Sequence, residues 1–427
     1  MLPGQHTCPG TSQPDDSTPE EDFDNEVQAL LARVNVAELC RAASALSGGR
    51  PCRFSTENLG QRKATIKGIN LDAWIRFEGG QAWHVRIPRI TALSHLPVDL
   101  VDSFIQNEYA TLKWLWKAGI PAPRCYGYGL ASDPSNLVGV SYIFLCVVPG
   151  KPFDASKATL EQKLKVYDQY AKILATIQYQ TPRGYASSLA HTENKKEDYN
   201  VDDAIASDRF THLGRHGPFR TPLEYFTSIA EWHLQLIADG QLYPEYAREA
   251  YVFYKLLKER AAPVLAKRSG PRFWLKHIDD TGDHILVDRD YNIRSIVNWQ
   301  LARFVPAEEA FGPSLLTANI GQLYGGTPGL GTGDHMLASM IRATGNQELI
   351  KFSSSDDLAR RFQLGLADGL SRAEVLGLIG AVLKLLYGDV FRDIDGWCKA
   401  QWIRVAHDDP RKKKIEELLE AMAAGGA

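Results

Sequence analysis

The spacing of apolar residues changes near residue 150 of this 427-residue chain, and that change restricts its fold more than any other feature. Between Cys52 and residue 147, short runs alternate apolar and polar residues, which is typical of β-strands, and one helical segment interrupts them. After Pro149-Gly150-Lys151-Pro152, longer segments repeat with the period of a helix. The pattern predicts an α+β protein with a small antiparallel-sheet lobe followed by a larger, mainly helical lobe.

Composition sets the predicted boundaries of the two lobes. Residues 1–25 combine Pro, Gly, Ser and acidic residues with few apolar ones, which predicts a disordered tail. Residues 26–148 are predicted to form the first lobe, including one leading helix that ends at Gly48-Gly49. Residues 149–427 are predicted to form the helical lobe, which contains the segment 275–300.

The individual elements follow from the same patterns. In the first lobe we predict strands at 62–69, 72–77, 82–87, 124–128 and 140–147, and a helix at 98–117. In the second lobe we predict helices at 159–178, 223–238 and 245–265, and a strand pair at 284–288 and 293–299.

Charge and cysteine content argue against several classes of function. The formal net charge of -3 lacks the basic surplus of a nucleic-acid-binding protein. The six cysteines include no C-x-x-C pair, which favours reduced thiols over a structural metal site. No run approaches the roughly 20 apolar residues that span a bilayer. We therefore expect a cytoplasmic protein with a small-molecule substrate and neither a nucleic-acid nor a membrane partner.

The densest group of polar side chains lies in the segment 275–300, which contains His277, Asp279, His284 and Asn298. This segment resembles the catalytic and metal-binding region of aminoglycoside phosphotransferases and choline kinases. In that family the pattern is H-x-D-x-x-x-x-N, followed by a strand, a turn and a strand that ends in I-D-W. His277 and Asp279 match it, whereas His284 stands at the Asn position and Asn298 at the position of the metal-binding Asp. The resemblance implies a protein-kinase-like fold and phosphoryl transfer from ATP, with Mg²⁺, to a small-molecule hydroxyl.

The first lobe carries the same resemblance. The strand around Arg86 is similar to the family's strand with the phosphate-binding base, and Arg86 occupies the lysine position. Glu108 matches the helix carboxylate that pairs with this base. Gly68 and Asn70 mark the turn that would cover the nucleotide phosphates. The resemblance thus implies that all four residues contribute to cofactor binding.

Two further stretches, Asp279–His284 and Glu309–Leu315, resemble a fungal branch of the family. That branch also has histidine at the position of His284. The resemblance implies a role in small-molecule metabolism, with a fungal secondary metabolite as the substrate class.

Each candidate residue has a physical reason for its role. Phosphoryl transfer depends on positioning and on charge neutralisation, so Asp279 would accept the hydroxyl proton. His277 is the second catalytic candidate, although in this fold such a histidine more often braces the loop than performs chemistry. Mg²⁺ prefers oxygen ligands, so His284 is a poor ligand and Asn298 lacks the charge. One lost charge interaction of about 4 kcal/mol weakens Mg²⁺ binding by roughly a thousandfold. Asp283 is a further candidate ligand, and Asp280 would compensate if it turned inward.

Two hypotheses remain open at this stage. The first is an ATP-dependent phosphotransferase with Asp279 as the base and a weakened metal site at Asn298 and His284. The second is a kinase-like scaffold that has lost phosphoryl transfer. Its cleft would perform acid–base chemistry, such as cyclisation, isomerisation or elimination, or would bind a ligand as a pseudokinase.

Overall fold

The computed structural model describes residues 19–56, 69–89, 96–181, 188–190, 200–202, 204–206, 214–405, 407 and 409–425. For residues 19–23, 188–190, 200–202, 204–206, 214–215 and 425 it describes the backbone alone.

The first lobe is built on a five-stranded antiparallel sheet. Its strands are β1 (Cys52–Ser55), β2 (Asn70–Phe77), β3 (Ala82–Pro88), β4 (Cys125–Gly129) and β5 (Tyr142–Cys146), in the spatial order β1-β2-β3-β5-β4. The register places Asp72 of β2 opposite Arg86 of β3. Because side chains alternate along a strand, these two charged residues share one face of the sheet, and the apolar residues of β2 and β3 share the other.

Helices cover both faces of this sheet. Helices α1 (Pro19–Arg33) and α2 (Val36–Leu46) pack against the apolar face. Helix α3 (Val98–Lys117) packs on the other face, where it meets Ile143 and Leu145 of β5. The sheet is therefore buried on both sides, and α3 lies on the side that carries Arg86.

The beginning of the chain differs from the sequence prediction in two ways. Helix α1 begins at Pro19, so residues 19–25 are helical rather than part of a disordered tail, and residues 1–18 lie outside the described residues. Proline suits the first helical position, and the acidic residues after it interact favourably with the positive end of the helix dipole. The predicted single leading helix is also divided, because the Asn35 side chain accepts a hydrogen bond from the Glu38 backbone and starts α2.

The second lobe is mainly helical. Its helices are α4 (Leu160–Gln180), α5 (Pro222–Ala238), α6 (Ala247–Leu256), α7 (Ala262–Ser269), α8 (Ala307–Phe311), α9 (Ile320–Tyr324), α10 (Thr332–Ala343), α11 (Gln347–Ser353), α12 (Leu358–Leu364), α13 (Arg372–Tyr387), α14 (Ile394–Arg404) and α15 (Pro410–Gly425). A π-helical turn, Leu257–Ala261, joins α6 to α7. A single apolar core runs through this lobe and continues to α3.

Short strands complete the second lobe. They are β6 (Lys151–Pro152), β7 (Ser188–Ala190), β8 (Asn200–Asp202), β9 (Ala204–Ala206), β10 (Gly214–His216), β11 (Phe273–Lys276), β12 (Ile285–Val287), β13 (Ile293–Ile296) and β14 (Arg303–Pro306). Strand β6, directly after the linker between the lobes, pairs with β12, and β12 pairs with β13. Strand β11 pairs with β14. Strands β11 and β14 therefore flank the segment 277–300, and β12 and β13 lie within it.

The predicted fold class, a small antiparallel-sheet lobe followed by a larger helical lobe, is confirmed by this architecture. Residues 62–68 of the first predicted strand lie outside the described residues, and β1 was not predicted. Within the described part of the chain, none of the helices combines the length and the apolar character needed to cross a membrane.

A buried ion pair attaches α1 to the sheet, and its removal provides a stability test. The guanidinium of Arg89, directly after β3, donates to both carboxylate oxygens of Glu26 from Nε at 3.1 Å. We expect Glu26→Ala to lower the free energy of unfolding by about 3 kcal/mol in urea titrations, because it removes one partner of a buried charge pair. The matched control is Asp168→Ala, which breaks the exposed pair with Lys172 and should cost about 0.5 kcal/mol. Equal losses of unfolding free energy in the two variants would contradict the conclusion that the Glu26–Arg89 pair attaches α1 to the sheet.

Candidate functional site

The loop between β11 and β12 carries the residues that sequence reasoning singled out. It leaves the sheet after Lys276, and a 3₁₀ turn over Gly282–His284 leads into β12. Gly282 lies so close to the linker segment that a Cβ there would approach the carbonyl oxygen of Phe153 to 2.4 Å. Only glycine permits this approach, so the loop is held directly against the chain that joins the two lobes.

Asp280 anchors the loop to the helical lobe. Its buried carboxylate accepts hydrogen bonds from Ser314 Oγ at 2.7 Å and Tyr170 Oη at 3.3 Å. The ammonium of Lys276 lies 3.7 Å away. Asp280 therefore points into the core of the second lobe. It does not face the metal site, where it would have compensated for the missing carboxylate ligand.

His277 supports the backbone of the neighbouring loop. Its buried ring donates from Nε2 to the carbonyl oxygen of Val297 at 2.8 Å and packs edge-on against Trp299. Burial, with a contribution from the neighbouring His284, lowers the pKa of His277 to about 4. The ring is therefore neutral at pH 7, in keeping with the bracing role expected for it rather than with proton transfer to a substrate.

Asp279 presents a carboxylate on the open side of the same loop. Its side chain is 31% exposed, and Oδ2 lies 3.5 Å from Nδ1 of His284. Burial raises the pKa of Asp279, the nearby His284 opposes that shift, and Asp280 and Asp283 reinforce it. A carboxyl with a raised pKa in a partly open position is suited to accept a proton.

His284 is held by hydrogen bonds at both ring nitrogens. Nδ1 donates to the backbone oxygen of Asp279 at 2.9 Å, and Nε2 lies 3.2 Å from Nδ2 of Asn298. Since Nδ1 carries the hydrogen, Nε2 accepts from the Asn298 amide. Asn298 adopts a left-handed conformation with φ 68°, which asparagine tolerates better than most residues. Asp279, His284 and Asn298 thus form one hydrogen-bonded chain of side chains and backbone.

The hydrogen-bonded group of Asp279, His284 and Asn298 does not fit the Mg²⁺ site that the family resemblance implies. The Asn298 amide donates from Nδ2 to His284, so it would offer a cation one uncharged amide oxygen in place of a carboxylate, and Asp280 is directed away. Asp283 is exposed on the 3₁₀ turn. Within the described ranges, no three His, Cys, Asp or Glu side chains are grouped to hold a metal ion. Mg²⁺ requires several oxygen ligands in near-octahedral geometry, so these donors are a poor match for it.

The first lobe contributes a buried charged group to the site. Arg86 Nη1 donates to Glu108 Oε1 at 2.6 Å, which joins β3 to α3 as the resemblance implied. Arg86 Nε also reaches Asp72 on β2 at 3.3 Å. Burial opposes the charge of Arg86, but Glu108 and Asp72 outweigh it and raise the pKa of Arg86. Burial also raises the pKa of Glu108, against the effect of Arg86.

Asp72 was missed by sequence reasoning, although its position carried a signal. It lies two residues after Asn70 in an alternating strand, so it faces the same side of the sheet. Its carboxylate contacts the guanidinium of Arg86, which Glu108 also contacts and which was expected to bind phosphate. An anionic ligand therefore meets a cation that two carboxylates already contact.

Asn70 connects the first lobe to the loop after Asn298. Its Nδ2 donates to Oε1 of Gln300 at 2.6 Å, and both side chains are buried. Gln300 was not predicted, because nothing in the sequence relates it to a residue 230 positions away. Gly68, expected beside Asn70, lies outside the described residues. The contact joins β2 of the first lobe to the loop that follows Asn298 in the second lobe.

The cavity beneath the loop is too small to hold a substrate. The closed cavity beneath the loop, bordered by Tyr170, Lys276, His277 and Asp280, has a volume of about 20 Å³. That is room for about one water molecule and far below the roughly 300 Å³ of a small-molecule site. A ligand outside the core can reach the partly exposed carboxylate of Asp279 and the exposed Asp283 on the same loop.

Comparison with known proteins adds the following. No protein-family model and no curated protein sequence matches the chain. Among solved structures, a Ralstonia eutropha protein provisionally assigned as an aminoglycoside phosphotransferase superposes with a TM-score of 0.47 at 14% identity. The match covers 91% of this chain and 96% of that one.

Two further solved structures are similar at a comparable level. The GDP complex of wild-type aminoglycoside 2'-phosphotransferase-IIIa has a TM-score of 0.39 at 13% identity and covers 84% of this chain and 91% of its own. A macrolide 2'-phosphotransferase from Brachybacterium faecium has a TM-score of 0.39 at 12% identity, with coverages of 83% and 99%. These superpositions are too loose to transfer an activity, and the fold assignment rests on the architecture of the chain itself.

The buried, neutral His277 predicts a loss of stability in acid. Its pKa in the folded protein, about 4, lies below the ordinary value of 6.5, so the unfolded chain binds more protons between these two values. Stability should therefore fall as the pH drops from about 6.5 towards 4, by on the order of 3 kcal/mol from this residue. We expect urea unfolding of His277→Gln to show a flatter pH dependence in that window than the unchanged protein. An unchanged slope would show that His277 is not held neutral.

Proposed function

We propose that this chain is a small-molecule enzyme that transfers the γ-phosphoryl group of ATP to a substrate hydroxyl in the cleft between its lobes. The observation that carries the proposal is the position of Asp279: its carboxylate is partly exposed and has a raised pKa, while its neighbours His277 and Asp280 are engaged in the core. Partial exposure and a raised pKa together suit the Asp279 carboxylate to accept a hydroxyl proton.

In the proposed reaction, Asp279 orients the substrate hydroxyl and accepts its proton. The hydroxyl oxygen forms a bond to the γ-phosphorus while the bond from that phosphorus to the β–γ bridging oxygen breaks, and ADP leaves. Arg86, held by Glu108, supplies positive charge to the nucleotide phosphates from the first lobe. His284 and Asn298 keep the Asp279 loop in position through their hydrogen bonds.

The resemblance implies Mg²⁺, and the donor set around Asn298 does not fit it. No step of the proposed reaction is therefore assigned to a metal ion. This disagreement favours a second candidate function, in which the cleft performs acid–base chemistry on a metabolite without phosphoryl transfer. The observation behind it is the contact between Asp279 and His284, because a carboxylate beside a histidine Nδ1 is a common arrangement for moving protons.

Titration calorimetry with ATP, with and without Mg²⁺, tests whether the first function holds. We expect ATP to bind the unchanged protein and Asp279→Asn with similar affinity, since this carboxylate is assigned to the acceptor hydroxyl and not to the nucleotide. Against a panel of hydroxyl-bearing metabolites, Asp279→Asn should lose at least about a hundredfold in ADP release, the usual contribution of a general base. Absence of ATP binding under both conditions would reject phosphoryl transfer and leave acid–base chemistry.

The substitution Asn298→Asp separates the two functions directly. It restores a carboxylate next to His284, so a phosphotransferase limited by its cation site should bind Mg·ATP more tightly, by up to roughly a thousandfold. An acid–base enzyme should gain nothing from it. Asn292→Asp is the matched control, because Asn292 lies on the turn before β13 and is hydrogen-bonded to Asp288 instead of His284. Equal gains in both variants would mean that added charge alone explains the effect.

A further inference from the structure

The amide pair that joins the two lobes is only half satisfied. Asn70 Nδ2 donates to Gln300 Oε1, but Asn70 Oδ1 and Gln300 Nε2 have no hydrogen-bond partner in the described part of the chain. Both side chains are at least nine-tenths buried, at 9% and 3% exposure. Turning both amides over exchanges the roles of the two residues and still leaves one donor and one acceptor open.

Buried amide groups without partners are unfavourable, so a pair like this normally has a reason to be retained. Two amides can form a second, reciprocal hydrogen bond, and this pair makes only one. The open atoms have complementary roles, since Asn70 Oδ1 accepts and Gln300 Nε2 donates. A hydroxyl group satisfies both, because it donates one hydrogen and accepts another.

The pair lies where the lobes are packed together. Leu301, the residue after Gln300, is buried against Leu100 and Phe104 of α3. Phe104 lies one helical turn before Glu108, the partner of Arg86. The loop that begins at Asn298 thus contacts the first lobe through the hydrogen bond of Gln300 and the apolar packing of Leu301.

We propose that Asn70 and Gln300 are positioning residues that close the cleft over its ligand, and that their open acceptor and donor bind a hydroxyl of that ligand. The inference rests on the proposed function for the identity of the ligand, a hydroxyl-bearing nucleotide or its acceptor. The closure itself depends only on the contact between the two residues.

The experiment is a double-mutant cycle with Asn70→Ala, Gln300→Ala and the combined variant. ATP is the probe, since it carries ribose hydroxyls and the acceptor is unidentified. We expect each single variant to weaken ATP binding by about fivefold, the effect of one buried hydrogen bond. The combined variant should be weaker than either single variant, but by less than the two losses multiplied, because the contact between Asn70 and Gln300 is lost only once. Additive losses, or affinities equal to that of the unchanged protein, would overturn the proposal.

Asn107→Ala is the matched control. Asn107 is a buried asparagine of α3 whose amide atoms have no hydrogen-bond partner in the described residues, and it is not part of the pair. Its removal should leave ATP affinity within about twofold of the unchanged protein. A loss as large as that of Gln300→Ala would show that any buried amide in this region has the same effect, which contradicts a specific closure role.

A second readout keeps this proposal separate from the proposed function. Small-angle X-ray scattering of the ligand-free variants reports the separation of the lobes without any nucleotide. We expect a larger radius of gyration for Asn70→Ala and Gln300→Ala than for the unchanged protein and Asn107→Ala. If ATP does not bind at all, phosphoryl transfer is rejected. The scattering alone then tests whether the contact between Asn70 and Gln300 keeps the lobes together. Unchanged scattering in both single variants would then overturn it.

Discussion

The buried carboxylate of Asp280 is the constraint on which the site depends. Ser314 and Tyr170 donate to it from two parts of the helical lobe, with Lys276 nearby. Since Asp280 follows Asp279 directly, fixing one carboxylate in the core turns the other towards the cleft. Two adjacent aspartates thereby have opposite roles. Gly282 completes the constraint by allowing the loop to lie against Phe153, immediately after the linker between the lobes.

The charge arrangement of the cleft differs from a site built around a divalent cation. On one side, Arg86 is shared between Glu108 and Asp72. On the other, His284 and Asn298 are hydrogen-bonded to each other, where the family pattern has asparagine and a carboxylate. Arg86 is therefore a cation paired with two carboxylates, while the Asp279 side is held by the hydrogen bonds of His284 and Asn298. A phosphotransferase with this cleft relies on Arg86, and an acid–base enzyme relies on the contact of Asp279 with His284.

Much of the fold could be predicted from the sequence, because local patterns carry it. The helix over Val98–Lys117 was predicted with its observed bounds, and Gly119 and Pro121 directly after it explain why its end was clear. Strands β2 and β3 were recognised from their alternation. Strands β11 and β14 were missed, because both are buried along their full length and show no alternation. The division between α1 and α2 was missed because Asn35 gives only a weak local signal of a helix start.

The sequence by itself determined the order of the lobes and the set of residues in the loop 277–284, whereas the pairing of Arg86 with Glu108 was implied by the family resemblance. Its strongest signals were periodicity and the spacing of residues within one segment, which depend on neighbours along the chain. Only the tertiary structure decided that Asp280 faces the core, that Asp72 shares Arg86, and that Asn70 meets Gln300. These outcomes depend on residues far apart in sequence packing at one place, and burial then sets which polar groups remain available to a ligand.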